Sequence, residues 1–252
     1  MPFNMKITEK TKLAEGVYSL WLECPEDFSG STSKHIGKFL HIECGESNFL
    51  RRPISLCQID GNRLRIAFRV QGSGTRFMAS ARVGDSLSVL WPCGKGFDIS
   101  SVSGRSLIIG GGIGVFPLYQ LALSLEDCVC TLGFSDKNSV LLQEEFSEAC
   151  PTFISTDDGS YGYSGFAVDL ASQLFGKYDF KNIFACGPVP MLKRVKQLAE
   201  DRGISNCQIS LEERMACGVG LCMVCVCRTV HGKNVPVCTC GPVFNAAEVD
   251  LS

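Results

Sequence analysis

Short apolar runs punctuated by glycine open the chain. Residues 13–24, 35–44, 55–59, 64–70 and 85–91 are rich in branched and aromatic side chains, with Gly16, Gly45, Gly61 and Gly84 near their edges. This spacing predicts short strands in a small closed barrel or sandwich, and Asp60-Gly61-Asn62 predicts a hairpin turn. The pattern changes near residue 100. Apolar strand-like runs at 106–109, 129–134, 152–156, 181–186 and 207–211 then alternate with helical stretches at 115–125, 139–149, 165–175 and 189–202. That alternation predicts an α/β domain with a parallel sheet. From about residue 211 neither period persists. The tail is rich in cysteine and glycine and is expected to form little core of its own, so a metal centre would have to organise it. The predicted layout is a β-barrel over residues 1–100, a nucleotide-binding α/β domain over 101–210, and a small cysteine-rich module over 211–252.

Composition narrows the function classes. Basic residues number 24 and acidic residues 26, for a net charge of −2. No global basic field is present to attract nucleic acid or an anionic membrane. No stretch approaches the roughly 18 apolar residues of a membrane span. The amino-terminal dozen residues alternate polar and apolar positions without a signal-peptide core, so the expected compartment is the cytoplasm.

Cysteine is the anomaly. There are 15, and Cys217, Cys222, Cys225, Cys227, Cys238 and Cys240 crowd into one short segment. The others lie in apolar stretches and read as small buried hydrophobes. Cys217, Cys222, Cys225 and Cys238 form C-x4-C-x2-C-x12-C. Four thiolates suit a soft metal centre, and the x4-x2 opening is the plant-type spacing of a [2Fe–2S] cluster. Gly218 and Gly220 would let loop amides turn toward the sulfurs. Zinc is the rival, since four thiolates also suit it. Cys227 and Cys240, each two residues beyond a candidate ligand, leave the set open from spacing alone.

Several turns suit phosphates. Gly110-Gly111-Gly112-Ile113-Gly114 joins a strand to a helix, where glycine permits close approach of a pyrophosphate and the helix start supplies free amides. Pro117 stands where the usual third glycine would be, so a plain tight turn is the competing reading. Cys186-Gly187-Pro188 is a second strand-end turn, and Pro188 also suits a simple helix start. At the end of the second strand of this domain, Asp136 would repel a 2′-phosphate, with no arginine beside it to receive one; it equally suits a solvated turn. In the barrel, Arg52 and Ser55 suit a phosphate or flavin edge, although a solvated basic edge fits the composition as well. Gly72-Ser73-Gly74-Thr75 opens a short helix over 75–81 whose amides suit a diphosphate. The segment from Trp91 to Phe97 is a third unusual barrel turn.

Together these residues resemble the ferredoxin–NADP reductase superfamily, and within it the electron-transfer subunits of class 1B dihydroorotate dehydrogenases. Arg52-Pro53-Ile54-Ser55 is similar to the R-x-x-S flavin motif, and Gly72, Gly74 and Thr75 to the FAD diphosphate turn. Gly111, Gly112 and Gly114, with Cys186-Gly187-Pro188, resemble the nicotinamide-domain turns. The segment from Glu212 to Gly220 resembles the approach to the cluster. Val237-Cys238 followed by Gly241-Pro242-Val243-Phe244 resembles the closing segment, which makes Cys238 the fourth ligand. The resemblance implies FAD, a [2Fe–2S] cluster and NAD+/NADH as co-substrate. It also implies an FMN-containing catalytic partner subunit that oxidises dihydroorotate in pyrimidine biosynthesis, with two copies of each chain. No catalytic acid or base is expected here; Glu212 would lie near the flavin or pair with Arg214. The rival readings are the small subunit of a bifurcating ferredoxin-dependent NAD(P)+ oxidoreductase or sulfide dehydrogenase, and a zinc-stabilised interaction protein on a lapsed reductase fold.

Overall fold

The computed structural model describes residues 2–24 and 32–251. β1 (Phe3–Ala14), β2 (Val17–Glu23), β3 (Phe39–Ile42), β4 (Arg52–Asp60), β5 (Arg63–Arg69) and β6 (Ser86–Cys93) close an antiparallel barrel in the order β1-β2-β5-β4-β3-β6. Its inside is filled by alternate residues such as Leu20, Leu22, Leu40, Ile42, Leu64 and Ile66, all fully buried. Each contributes about 1.5–3 kcal/mol relative to exposure. Two details depart from expectation. β1 occupies the amino-terminal segment that polarity left without an element: Met5 and Ile7 are buried, and pairing with β2 and β6 supplies the rest. The run at 13–24 breaks at Gly16, whose φ of +68° makes the hairpin between β1 and β2. α1 (Ser73–Ser80) follows β5.

The second unit contains β7 (Arg105–Gly111), α2 (Phe116–Ser124), β8 (Cys128–Phe134), α3 (Gln143–Ala149), β9 (Thr152–Thr156), β10 (Tyr163–Ser164), α4 (Ala167–Leu174), β11 (Phe180–Cys186), α5 (Val189–Asp201) and β12 (Asn206–Ser210). Its seven-stranded sheet runs β10-β9-β8-β7-β11-β12-β15, where β15 (Val243–Asn245) comes from the tail. Leu107 and Ile109 face α4 and α5; Ile108 faces α2. Burial on both faces explains why these strands read as unbroken apolar runs. The expected helix over 139–149 begins later. Asp136 instead caps a short turn over Lys137–Ser139, and Leu142 adopts φ +54° so that Leu141 and Leu142 enter the core. Among the described residues no helix is long and apolar enough to cross a membrane.

The tail also contributes to the sheet domain. It adds β13 (Val226–Thr229), β14 (Asn234–Pro236), α6 (Val237–Cys240), β15 and β16 (Val249–Asp250). The parallel sheet is therefore mixed, because β15 pairs antiparallel with β12. Cys225, Val237, Cys238, Phe244 and Val249 pack in one core with Leu192 and Val195 of α5 and with Phe39 and Cys93 of the barrel. The described residues thus show no distinct iron–sulfur module; the tail shares the core of the sheet domain.

The turn from Trp91 to Phe97 also has a different role from the one expected. It does not line the large cleft described below. Lys95 N–H donates to Gly241 O at 2.5 Å, and Phe97 packs edge-on against Phe184. A Cβ at Gly96 would lie 1.9 Å from the Ile36 carbonyl, so glycine is needed for this close approach.

The two units meet along α2. Gln120 Oε1 accepts from Ile59 N–H at 2.6 Å, and Arg65 pairs with Glu145 at 3.3 Å. β8 and β11 flank β7, so the chain direction of strand addition reverses there. In open sheets of this kind, ligands sit beyond the carboxyl ends of the strands at that reversal.

Candidate functional site

A cleft of about 640 Å³ lies between the barrel, the sheet and the start of the tail. Arg52, Pro53, Ile54, Ser55 and Thr75 line its barrel side, and Gly114, Pro117 and Cys186 its sheet side. Arg51 also lines it, with its guanidinium engaged elsewhere: it donates to Ser88 O at 2.8 Å and pairs with Glu43 at 2.6 Å. Arg52 lies on the first turn of α1. A Cβ at Gly74 would meet its Nε at 2.6 Å, so Gly74 is required for the guanidinium to rest there. Gly72 caps α1, and Thr75 Oγ1 accepts from Gln71 and Gly72 amides at 2.9 and 3.1 Å. The first-turn amides beyond them have no partner within the helix. Arginine and amides in this arrangement could hold an anion. Gly72 and Gly74 shape the arrangement without lining the cleft.

On the sheet side the two glycine turns touch. A Cβ at Gly114 would fall 2.5 Å from Cys186 O and 2.8 Å from Gly187 N. A Cβ at Gly111 would meet Met191 and Pro188. Gly111, Gly112 and Pro188 line a second pocket of about 380 Å³, with Ser135, Asp157, Phe166 and Arg194. Arg69 lines both cavities, so they adjoin. Of the two roles open to Asp136, the structure shows the turn. Asp136 accepts from Asn138 and Ser139 amides as a helix cap and does not line the pocket, whereas Arg69 and Arg194 do. Arg194 is paired with Asp169 and stacked on Phe166. Phe166 and Arg194 were not singled out from sequence; they come from separate elements with no shared motif. Burial pushes the Cys186 thiol up to about 12, which removes it as a nucleophile.

At the third edge of the cleft, Glu212, Glu213, Arg214 and Met215 lead into the cysteine loop. Among the described residues Glu212 and Arg214 form no ion pair. Cys225 and Cys238 are buried, Cys217 half-buried and Cys222 exposed. Loop amides point at sulfur: Gly220 N–H to Cys238 Sγ at 3.1 Å, Cys238 N–H to Cys225 Sγ at 3.4 Å, and Val219 N–H to Cys217 Sγ at 3.4 Å. Amide hydrogen bonds from Val219 and Cys222 lower the Cys217 thiol to about 6. Among the described residues no three His, Cys, Asp or Glu side chains converge as a site for one metal ion.

His41 abuts this loop. It is fully buried on β3, and neither ring nitrogen has a hydrogen-bond partner. A Cβ at Gly218 would lie 2.3 Å from its Nδ1. Burial lowers its pKa to about 4, so the ring is neutral and holds one N–H to donate.

The barrel, the doubly wound sheet and their shared cleft place this chain in the ferredoxin-reductase superfamily. The structure of an NADH-dependent reduced ferredoxin–NADP oxidoreductase covers 98% of the chain and 90% of its own, at TM-score 0.87 and 27% identity. Phthalate dioxygenase reductase shares the fold at TM-score 0.65 and 17% identity, covering 91% of this chain and 87% of its own. The chain belongs to the family of dihydroorotate dehydrogenase B (NAD(+)) electron-transfer subunits. The protein of that name from Geobacillus thermodenitrificans is 40% identical over 98% of both chains, as is that from Bacillus pumilus. The profile of the iron–sulfur cluster binding domain of dihydroorotate dehydrogenase B matches residues 212–250.

Proposed function

We propose that this chain carries electrons toward NAD+ as the electron-transfer subunit of an NAD-dependent dihydroorotate dehydrogenase in pyrimidine biosynthesis. The observation that carries the reading is the meeting of three chemistries at one cleft: an anion cradle on the barrel, paired glycine turns on the sheet, and a cysteine loop with inward amides. A flavin exchanges electron pairs with nicotinamide and single electrons with an iron–sulfur centre. This chain's own part is to bind and orient those groups.

Arg52, with the first turn of α1, would hold the FAD diphosphate, and Ser55 and Thr75 would complete its edge. Gly111, Gly112, Gly114, Cys186, Gly187 and Pro188 would shape the nicotinamide nucleotide site. Cys217, Cys222, Cys225 and Cys238 would hold a [2Fe–2S] cluster. Loop amides reach the sulfurs of Cys217, Cys225 and Cys238, an environment that suits the charged sulfurs of a cluster. Exposed Val219, Leu221, Met223 and Val224 around the loop suit docking of an FMN-containing catalytic subunit.

Anaerobically purified protein should carry one FAD, two irons and two sulfides per chain, with visible absorption bleached by NADH. Zinc without flavin or sulfide would overturn the reading. Preference for NADPH over NADH would favour the related ferredoxin-dependent oxidoreductases, to which the 27% structural relative points. In Arg52→Ala, a charged hydrogen bond of ~1.5–3 kcal/mol is lost. FAD affinity should fall about 10- to 100-fold by equilibrium dialysis, with iron content unchanged.

A further inference from the structure

The cysteine excess outside the loop divides into two kinds. Cys24, Cys44, Cys57, Cys93, Cys186 and Cys207 sit apart, and burial raises their thiols. Apart from Cys186, which lines the cleft, they are inert packing. Cys128, Cys130 and Cys150 are different. Cys128 and Cys130 are two apart on β8 and so face one side of the sheet. Cys150 caps the end of α3, immediately before Pro151 and β9. Cys130 N–H donates to Pro151 O at 2.9 Å, which holds the two backbones side by side. The Cys130 and Cys150 sulfurs lie 3.2 Å apart. Cys128 and Cys130 are buried, while Cys150 is partly exposed.

We propose that Cys130 and Cys150 are a disulfide-forming thiol pair, a modification site separate from the cysteine loop, oxidised by a low-molecular-weight disulfide. Closing from 3.2 Å to the bonded distance of about 2.05 Å needs a shift of roughly one ångström. The exposed member reacts first. The Cys150 thiolate attacks one sulfur of the small disulfide, forms a mixed disulfide and expels one small thiolate. Cys130, giving up its proton to solvent, then attacks the Cys150 sulfur and expels the second. Two protein thiols are oxidised to one disulfide, and one small disulfide is reduced to two thiols. Polarity supports this order: hydrogen bonds from Cys128 and Cys130 lower the Cys150 pKa, and burial raises that of Cys130.

The link would join the start of β8 to the α3–β9 junction. The nucleotide pocket is lined instead by Gly133, Phe134 and Asp157, at the other ends of β8 and β9. Oxidation should therefore stiffen the sheet without blocking the pocket. The test is oxidised glutathione applied to the flavin-loaded full chain, followed by alkylation and peptide mass analysis. The expected product is a Cys130–Cys150 crosslink, a loss of two hydrogens, a thermal midpoint raised by several degrees and NADH-dependent dye reduction within twofold of the start. Cys130→Ser should trap glutathione on Cys150, and Cys128→Ser should leave the crosslink intact. Circular dichroism and flavin content show that each variant is folded. Full alkylation of Cys130 and Cys150 in the treated wild type, or glutathione persisting on Cys150 without a crosslink, would overturn the proposal.

Discussion

Cys225→Ser is expected to strip the protein of iron and acid-labile sulfide while leaving it folded and flavin-loaded. Cys225 is 1% exposed, and its sulfur accepts the Cys238 amide at 3.4 Å. Serine keeps the size but replaces a soft thiolate with a hard, barely acidic hydroxyl, which iron–sulfur chemistry disfavours. The buried position offers no water to substitute. Iron and sulfide should fall below about a tenth of wild type, since a cluster held at three corners is labile. FAD should stay near one per chain, because the Arg52–α1 cradle is built by the barrel. Cys227→Ser and Cys240→Ser are the controls and should retain both. Loss of iron in Cys227→Ser but not in Cys225→Ser would transfer the ligand role to the other member of the pair.

The second large effect belongs to Gly114. A methyl group here would meet Cys186 C and O and Gly187 N, all between 2.5 and 2.8 Å, and every one is backbone. No side chain can rotate to relieve the contact, so the turns after β7 and β11 must separate. A displacement near 1 Å at a reacting centre costs on the order of 100-fold in rate. Gly114→Ala should therefore lower kcat/KM for NADH-driven dye reduction by about 10- to 100-fold, with FAD and iron contents intact. A variant with wild-type kinetics would show that the contact between these turns does not position the nicotinamide. Thermal melting separates this local effect from general unfolding.

The same contact shows what could be read from sequence. Both glycine turns were legible as separate phosphate-type loops, because strand, glycine run and helix follow one another along the chain. Their mutual contact was not, since 71 residues of intervening chain separate Gly114 from Cys186 and only the sheet order brings them together. The β7, β8, β9, β11 and β12 strands were legible for a physical reason: burial on both faces leaves no polar alternation to confuse with a helix. β1 was obscured because only Met5 and Ile7 commit it to the core. Arg194 and Phe166 were invisible because a helix face and a helix cap carry no motif. Asp136 stayed ambiguous, since a capping aspartate and a ribose-reading one look alike in sequence. The cysteine spacing was legible as soft-metal chemistry, but the sharing of the tail's core with α5 was not: β13 to β16 are each two to four residues long.

That shared core fixes an order of events during synthesis. β12 is left with an unpaired edge until Val243–Asn245 has emerged and paired with it, and open edges invite association with other chains. Cys238, Val237 and Phe244 also complete the packing around α5. The sheet domain is therefore finished by a segment that follows its other strands and helices in the chain. Until it pairs, the edge of β12 stays open to other chains.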